Sequence, residues 1–297
     1  MRESRRTRRG AILPVKTLSV VVPVMIALKP NGMLHVGGHD LEYRLVGPQP
    51  SEAATIVMLH EGLGSVGLWG DFPEKLAAAT GAGVFAYSRA GYGASSPVLL
   101  PRPLTYMHDE ALRVLPLVLG AIGFRRGLLL GHSDGASIAT LYAGGAQDHR
   151  IRGLILFAPH FVVEEIGLEA IAATRRNYVE GDLKSRLARW HRDVDNAFLG
   201  WNGAWLDPGF HNWDISEALG YIRVPIQIVQ GENDQYGTTR QIEIAEQECY
   251  CPLDITLIEG IGHSPQREAP ETTLRVVEEF THRILHAHAE GRLGKAA

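Results

Sequence analysis

The residues Gly131-His132-Ser133-Asp134-Gly135 follow three leucines, Leu128 to Leu130, and lead into Ala136-Ser137. A buried strand that turns through G-x-S-x-G straight into a helix lifts the central serine clear of the sheet on a strained backbone. The flanking glycines are required because a Cβ at either place would strike a neighbouring element. Ser133 then sits at a helix start, where free N–H groups and the positive end of the dipole favour developing negative charge. A serine hydroxyl attacks a carbonyl only when a base takes its proton, so a histidine and an acid are needed further along the chain. Both follow in order. His263 lies in Glu259-Gly260-Ile261-Gly262-His263-Ser264-Pro265, and Asp234 lies in Gly231-Glu232-Asn233-Asp234-Gln235-Tyr236. His263 is read as the proton carrier and Asp234 as the group that fixes its tautomer; Glu232 is the competing acid.

Such a reaction also needs two backbone donors for the oxyanion. The amide of Asp134, directly after the serine, supplies one. The other is expected from His60-Glu61-Gly62-Leu63-Gly64-Ser65, with Gly62 preferred and Leu63 the alternative. A plain turn or a phosphate cradle is the competing reading of such a glycine-rich loop, but no Lys-Ser or Lys-Thr pair follows it.

The elements that must hold these groups are legible in the hydropathy pattern. Leu34–Val36 and Leu41–Val46 flank Gly37-Gly38-His39-Asp40 as an opening hairpin; 55–59, 84–87, 128–130, 154–157, 226–229 and 255–258 read as buried strands. Helices are predicted over 71–79, 106–119, 134–144 and 270–286. This alternation predicts an α/β fold, with a mostly parallel eight-stranded sheet and helices on both faces. It is interrupted between Phe157 and Ile226 by a stretch too long for one crossover helix. Helical periodicity over 164–178 and 183–198 predicts an inserted helical lid there.

From about Met33 to about Arg283 the chain resembles the α/β-hydrolase family with a helical cap. The resemblance rests on the His60 loop, Ser88-Arg89-Ala90-Gly91-Tyr92-Gly93-Ala94-Ser95, Gly131 to Gly135, Asp234 and Gly260 to His263, all in family order. Glu61 departs from the glycine that many relatives carry after the loop histidine. Serine at position 133 argues against haloalkane dehalogenases and epoxide hydrolases, which use aspartate there. The resemblance implies residues 1–32 as an N-terminal extension, 33–158 and 225–290 as core, and 159–224 as cap. It implies a serine hydrolase without a cofactor, most readily a carboxylesterase acting on a small, apolar or aromatic molecule. Thioester, lactone or carbon–carbon cleavage are alternatives on the same triad, and a ligand-sensing receptor of this fold is the alternative of another class.

Composition sets further bounds. The 297 residues, 45% hydrophobic and carrying a formal net charge of −4, suit a globular chain and offer no basic field for nucleic acid. Cys249 and Cys251 are too close for an ordinary disulfide and too few for zinc. Residues 1–9 hold five arginines, and an apolar run from Thr17 to Leu28 follows that is too short to span a membrane. The segment is read as an appendage outside the fold of a cytoplasmic protein, with an export signal as the alternative. His60 and His132 are expected to pack or to support the site, while His282 and His286 are expected to be solvated; no metal is predicted. Trp190, Trp201, Trp205 and Trp213 crowd the insertion, where they either hold it together or roof a pocket over Ser133. Arg89, Arg175, Arg176 and Arg189 are alternative recognition groups for a substrate carboxylate.

Overall fold

The computed structural model describes residues 27–293, with side chains through residue 285. Residues 1–26 lie outside the described part, and so do the side chain of His286 and most of the predicted N-terminal extension.

Eight strands form one sheet: β1 (Asn31–Val36), β2 (His39–Val46), β3 (Thr55–Leu59), β4 (Gly83–Tyr87), β5 (Gly127–His132), β6 (Ile151–Phe157), β7 (Ile226–Gly231) and β8 (Leu253–Ile258). Their spatial order is β1-β2-β4-β3-β5-β6-β7-β8. The first two pairings, β1 with β2 and β2 with β4, are antiparallel, and the remaining five are parallel. The opening hairpin turns on Gly37 and Gly38, both with positive φ, as a two-residue turn of matching twist requires.

Burial on both faces explains the unbroken apolar runs of β3, β4 and β5. Side chains alternate between two cores. Val57, Leu59, Phe85, Tyr87 and Leu129 pack with helices on one side, whereas Ile56, Met58, Val84, Ala86, Leu128 and Leu130 pack with Phe72, Leu76, Val277 and Phe280 on the other. Helices α1 (Phe72–Thr80) and α11 (Pro270–Leu293) supply that second layer. The first layer includes α2 (Tyr106–Asp109), α3 (Leu115–Ala121) and α4 (Asp134–Ala146).

The predicted helix 106–119 passes through a π-helical segment, Glu110–Val114. Pro116 lacks an N–H and its ring crowds the carbonyl four residues back, so the chain widens before it. The insertion between β6 and β7 contains α5 (Glu165–Glu180), α6 (Leu183–Leu187), α7 (Val194–Trp205) and α8 (Ser216–Leu219). The expectation of one helix over 183–198 is corrected: Asp193 caps a new helix by accepting from the Asn196 amide at 2.9 Å. In the gap, His191 accepts from the Gly93 amide at 3.0 Å and meets the Leu63 carbonyl with its other nitrogen. Two further helices, α9 (Arg240–Glu248) and α10 (Pro265–Glu268), were not anticipated from the pattern. Among the described residues no helix is long and apolar enough to cross a membrane.

Candidate active site

Ser133 takes φ 52° and ψ −119° between β5 and α4, the strained turn predicted from G-x-S-x-G. The close approach is quantitative. A Cβ on Gly131 would lie 2.3 Å from the Gly135 carbonyl oxygen, and one on Gly135 would lie 2.0 Å from that of Leu59. The strands end at one edge of the sheet, and the loops following β3, β5, β6, β7 and β8 converge there on Ser133.

The loop after β8 brings His263 against the loop after β7. The ring Nδ1 lies 2.9 and 2.8 Å from the two carboxylate oxygens of Asp234. Asp234 Oδ1 also accepts from the Tyr236 amide at 2.8 Å. Burial opposes ionisation of this carboxyl, but the hydrogen bond and charge of His263 outweigh it and hold Asp234 below the usual carboxylate range. Nδ1 donates to the carboxylate, which assigns the free electron pair to Nε2. Glu232 is exposed. Ser133 and His263 line one cavity, without a direct hydrogen bond between their side chains. Catalytic hydrogen bonds of this kind commonly tighten only around a substrate.

The cavity has a volume of about 90 Å³ and is bounded by Glu61, Gly62, Leu63, Asp134, His160 and Tyr236 from the core loops. Glu164, Ile171, Trp201 and Trp205 close it from the insertion. A single water needs about 10–15 Å³ by the same measure, so the space admits a small acyl group. Gly62 lies directly under Trp201: a Cβ there would fall 2.0 Å from the indole Nε1. Two of the four tryptophan expectations are corrected. Trp190 is 43% exposed and covers Gly67, and Trp213 stacks on Phe210 with ring centroids 5.3 Å apart, so neither lines the cavity. Arg175, Arg176 and Arg189 are exposed, whereas Arg89 is wholly buried and is not among the residues lining the cavity.

The remaining histidines divide as their packing dictates. His132 places Nε2 2.8 Å from the His263 carbonyl and Nδ1 3.2 Å from Gln266 and 3.5 Å from Glu61, so it braces the loop that carries His263. Glu61 is half-buried, and although its partial desolvation opposes ionisation, the hydrogen bond and charge of His132, with Arg267 beyond, keep its carboxyl well below the ordinary range. His60 accepts from the Arg89 amide at 3.0 Å. Sequence reasoning overlooked His160, which lies 5.6 Å from His263 and edge-on to Trp205 at 5.4 Å. Burial and the neighbouring His263 push it down to about 3, so it stays neutral. Its position just beyond the end of β6 was the available signal, because that edge of a parallel sheet gathers functional groups. Glu164 was also overlooked. Its carboxylate accepts from the amide (2.9 Å) and hydroxyl (2.6 Å) of Thr238, tying the insertion to the loop of Asp234.

The sequence profile described as the alpha/beta hydrolase family matches residues 56–276, most of the chain. The protein belongs to the alpha/beta hydrolase family. Its sequence is 23% identical over 292 residues to a proline iminopeptidase of Lactobacillus helveticus, covering 84% of this chain and 97% of the relative. The fold is similar to that of a proline iminopeptidase of Mycobacterium smegmatis, with a TM-score of 0.66, 18% identity and coverage of 87% and 99% of the two chains. It is likewise similar to an esterase from Rhodococcus sp. ECU1013, with a TM-score of 0.63, 18% identity and coverage of 86% and 100%. This alpha/beta hydrolase is therefore a hydrolase by family, with helices inserted between β6 and β7 that close the cavity at Ser133.

Proposed function

We propose that this alpha/beta hydrolase is a serine hydrolase that cleaves a carboxylic ester of a small, largely apolar substrate through an acyl-enzyme. The observation that carries the reading is the Asp234–His263 pair opening into the same cavity as the serine on the strained turn. Ser133 Oγ adds to the carbonyl carbon as His263 Nε2 takes the hydroxyl proton, and the Gly62 and Asp134 amides receive the oxyanion. The carbonyl–oxygen bond then breaks and the leaving alkoxide collects the proton from His263. Water repeats the sequence on the acyl-enzyme, and the free acid departs. In this reading residues 33–158 and 225–290 form the catalytic core, 159–224 form the lid, and Trp201 and Trp205 shape the acyl pocket.

A second reading has support of its own. The iminopeptidase relative aligns over nearly its whole length, and Glu61, Asp134 and Glu164 line a cavity whose described lining holds no lysine or arginine, Arg267 and Arg89 standing behind Glu61 and Asp134. A substrate with a free amine next to a scissile amide suits that lining. One panel decides: short p-nitrophenyl esters, an acyl thioester, a lactone, proline p-nitroanilide and its N-acetylated form, each with wild type and Ser133→Ala. The ester reading expects turnover of the acetate or butyrate that Ser133→Ala abolishes. Turnover confined to the anilide with a free amine transfers the assignment to the peptidase reading, and undiminished ester turnover by Ser133→Ala removes the mechanism.

A further inference from the structure

The guanidinium of Arg89 is completely buried between the two loops that flank the nucleophile. An unpaired charge there is prohibitively costly, so its partners reveal its purpose. It donates to the carbonyl of His60, and its Nη2 donates to the carbonyl of Glu61 at 3.1 Å. The same Nη2 stands 3.9 Å from the Asp134 carboxylate. Tyr106 holds that carboxylate at 2.5 Å, and Trp205 of the insertion holds it at 3.1 Å.

These partners are the reverse sides of the two oxyanion donors. The carbonyl of Glu61 belongs to the peptide unit whose N–H is that of Gly62. In a trans peptide the two groups point in opposite directions. A cation bonded to the carbonyl thus polarises the Gly62 N–H and leaves it facing away from the arginine. At the other end, the Arg89 guanidinium faces the side chain of Asp134 at 3.9 Å, beside the Tyr106 and Trp205 groups that bond it, and the amide of Asp134 is the second donor. The nearby carboxylate offsets much of the guanidinium charge, so its influence passes through the peptide groups it grips.

We infer that Arg89 is a positioning residue that assembles the oxyanion hole from behind, setting the spacing of the Gly62 and Asp134 donors. The inference rests on the serine-hydrolase reading above. Trp205 extends the arrangement to the insertion, because the indole that lines the acyl pocket also bonds to Asp134.

The test uses a fluorophosphonate, which needs no known substrate: Ser133 Oγ bonds to phosphorus, fluoride departs and the hydroxyl proton passes to His263. Wild type, Arg89→Met, Arg89→Lys and Asp134→Asn are compared for labelling rate, circular dichroism and, on the ester or anilide found active, kcat and KM. Arg89→Met is expected to keep the wild-type spectrum, slow labelling and kcat by about 10²–10³-fold as loss of an oxyanion donor does, and leave KM within about threefold. Arg89→Lys keeps the charge but not the fork and is expected to recover only part of the rate. A folded Arg89 variant with wild-type labelling, or one whose KM alone rises, overturns the inference. Should neither Arg89 variant fold, Asp134→Asn decides: labelling slowed about tenfold or more supports it, and an unchanged rate overturns it. Failure of the wild type to label at Ser133 refutes the serine-hydrolase reading instead, so the two failures are distinct.

Discussion

Asp234 and Glu232 are two residues apart on one loop, yet only Asp234 is buried against the ring of His263. Asp234→Asn leaves the shape intact but replaces the acceptor that fixes the tautomer, presenting an N–H toward Ser133 in place of the base. The expected result is a fall in kcat of about 10⁴-fold, the scale seen when a triad aspartate becomes an amide. Glu232→Gln is expected to remain within about threefold, since its side chain is exposed and Asp234 is the acid bonded to the ring. Steady-state kinetics on the most active member of the substrate panel measures both. Equal losses in the two variants mean that the loop as a whole, rather than the Asp234 carboxylate, supports catalysis.

At the scale of elements, the turn from β5 into α4 is rigid because backbone meets backbone with no side chain between. Gly135→Ala forces a methyl to 2.0 Å from the Leu59 carbonyl oxygen, which requires β3 and α4 to separate. Urea denaturation is expected to show a loss of more than about 4 kcal/mol, the range reached when core packing is forced apart. Gly120, near the end of α3, is the control: nothing lies within 4 Å of a Cβ there, and alanine is expected to stabilise by about 0.5–1 kcal/mol. A mild effect of Gly135→Ala refutes the close approach that orients Ser133. The interruption of the helix near Pro116 and the break before Asp193 show the limits of periodicity. Apolar spacing predicts a helical face, while a missing N–H or a capping carboxylate decides where the hydrogen-bond ladder stops.

Across the whole molecule, acid stability follows from carboxylates that are held ionised in the fold. Asp148, at the end of the sheet remote from Ser133, is opposed by burial but bonded by Arg150 and by Tyr142 at 2.6 Å, which bring its carboxyl down to about 2. A carboxyl lowered in the native state contributes stability that is complete above the ordinary carboxylate range and disappears as pH falls through its native value. Asp148→Asn is therefore expected to lower Tm by about 2–4 °C at pH 7. The gap from wild type should narrow steadily between pH 4 and pH 2, as wild-type Asp148 also becomes neutral. Thermal melts across that interval test this, and a gap that stays constant to pH 2 contradicts it.

Local order was written in short-range patterns. Alternating cores required continuous apolar strands, the strained serine required glycines on either side, and the eight strands of the sheet follow from those runs with boundaries displaced by a few residues. The association of Ser133, Asp234 and His263 was also foreseeable, because a parallel sheet places successive strand ends along one edge. Side-chain destinations were not. Arg89 reads in the sequence as part of a family loop and as a recognition group for a carboxylate, and only burial turns its guanidinium onto the carbonyls of His60 and Glu61. Trp190 and Trp205 share a composition signal but diverge in space, one over Gly67 at the surface and the other against Asp134. Hydropathy and turn chemistry act between residues near in sequence, so they survive in the string of letters. Long-range packing and the pairing of buried charges depend on which distant surfaces meet, and that information exists only after the chain has closed on itself.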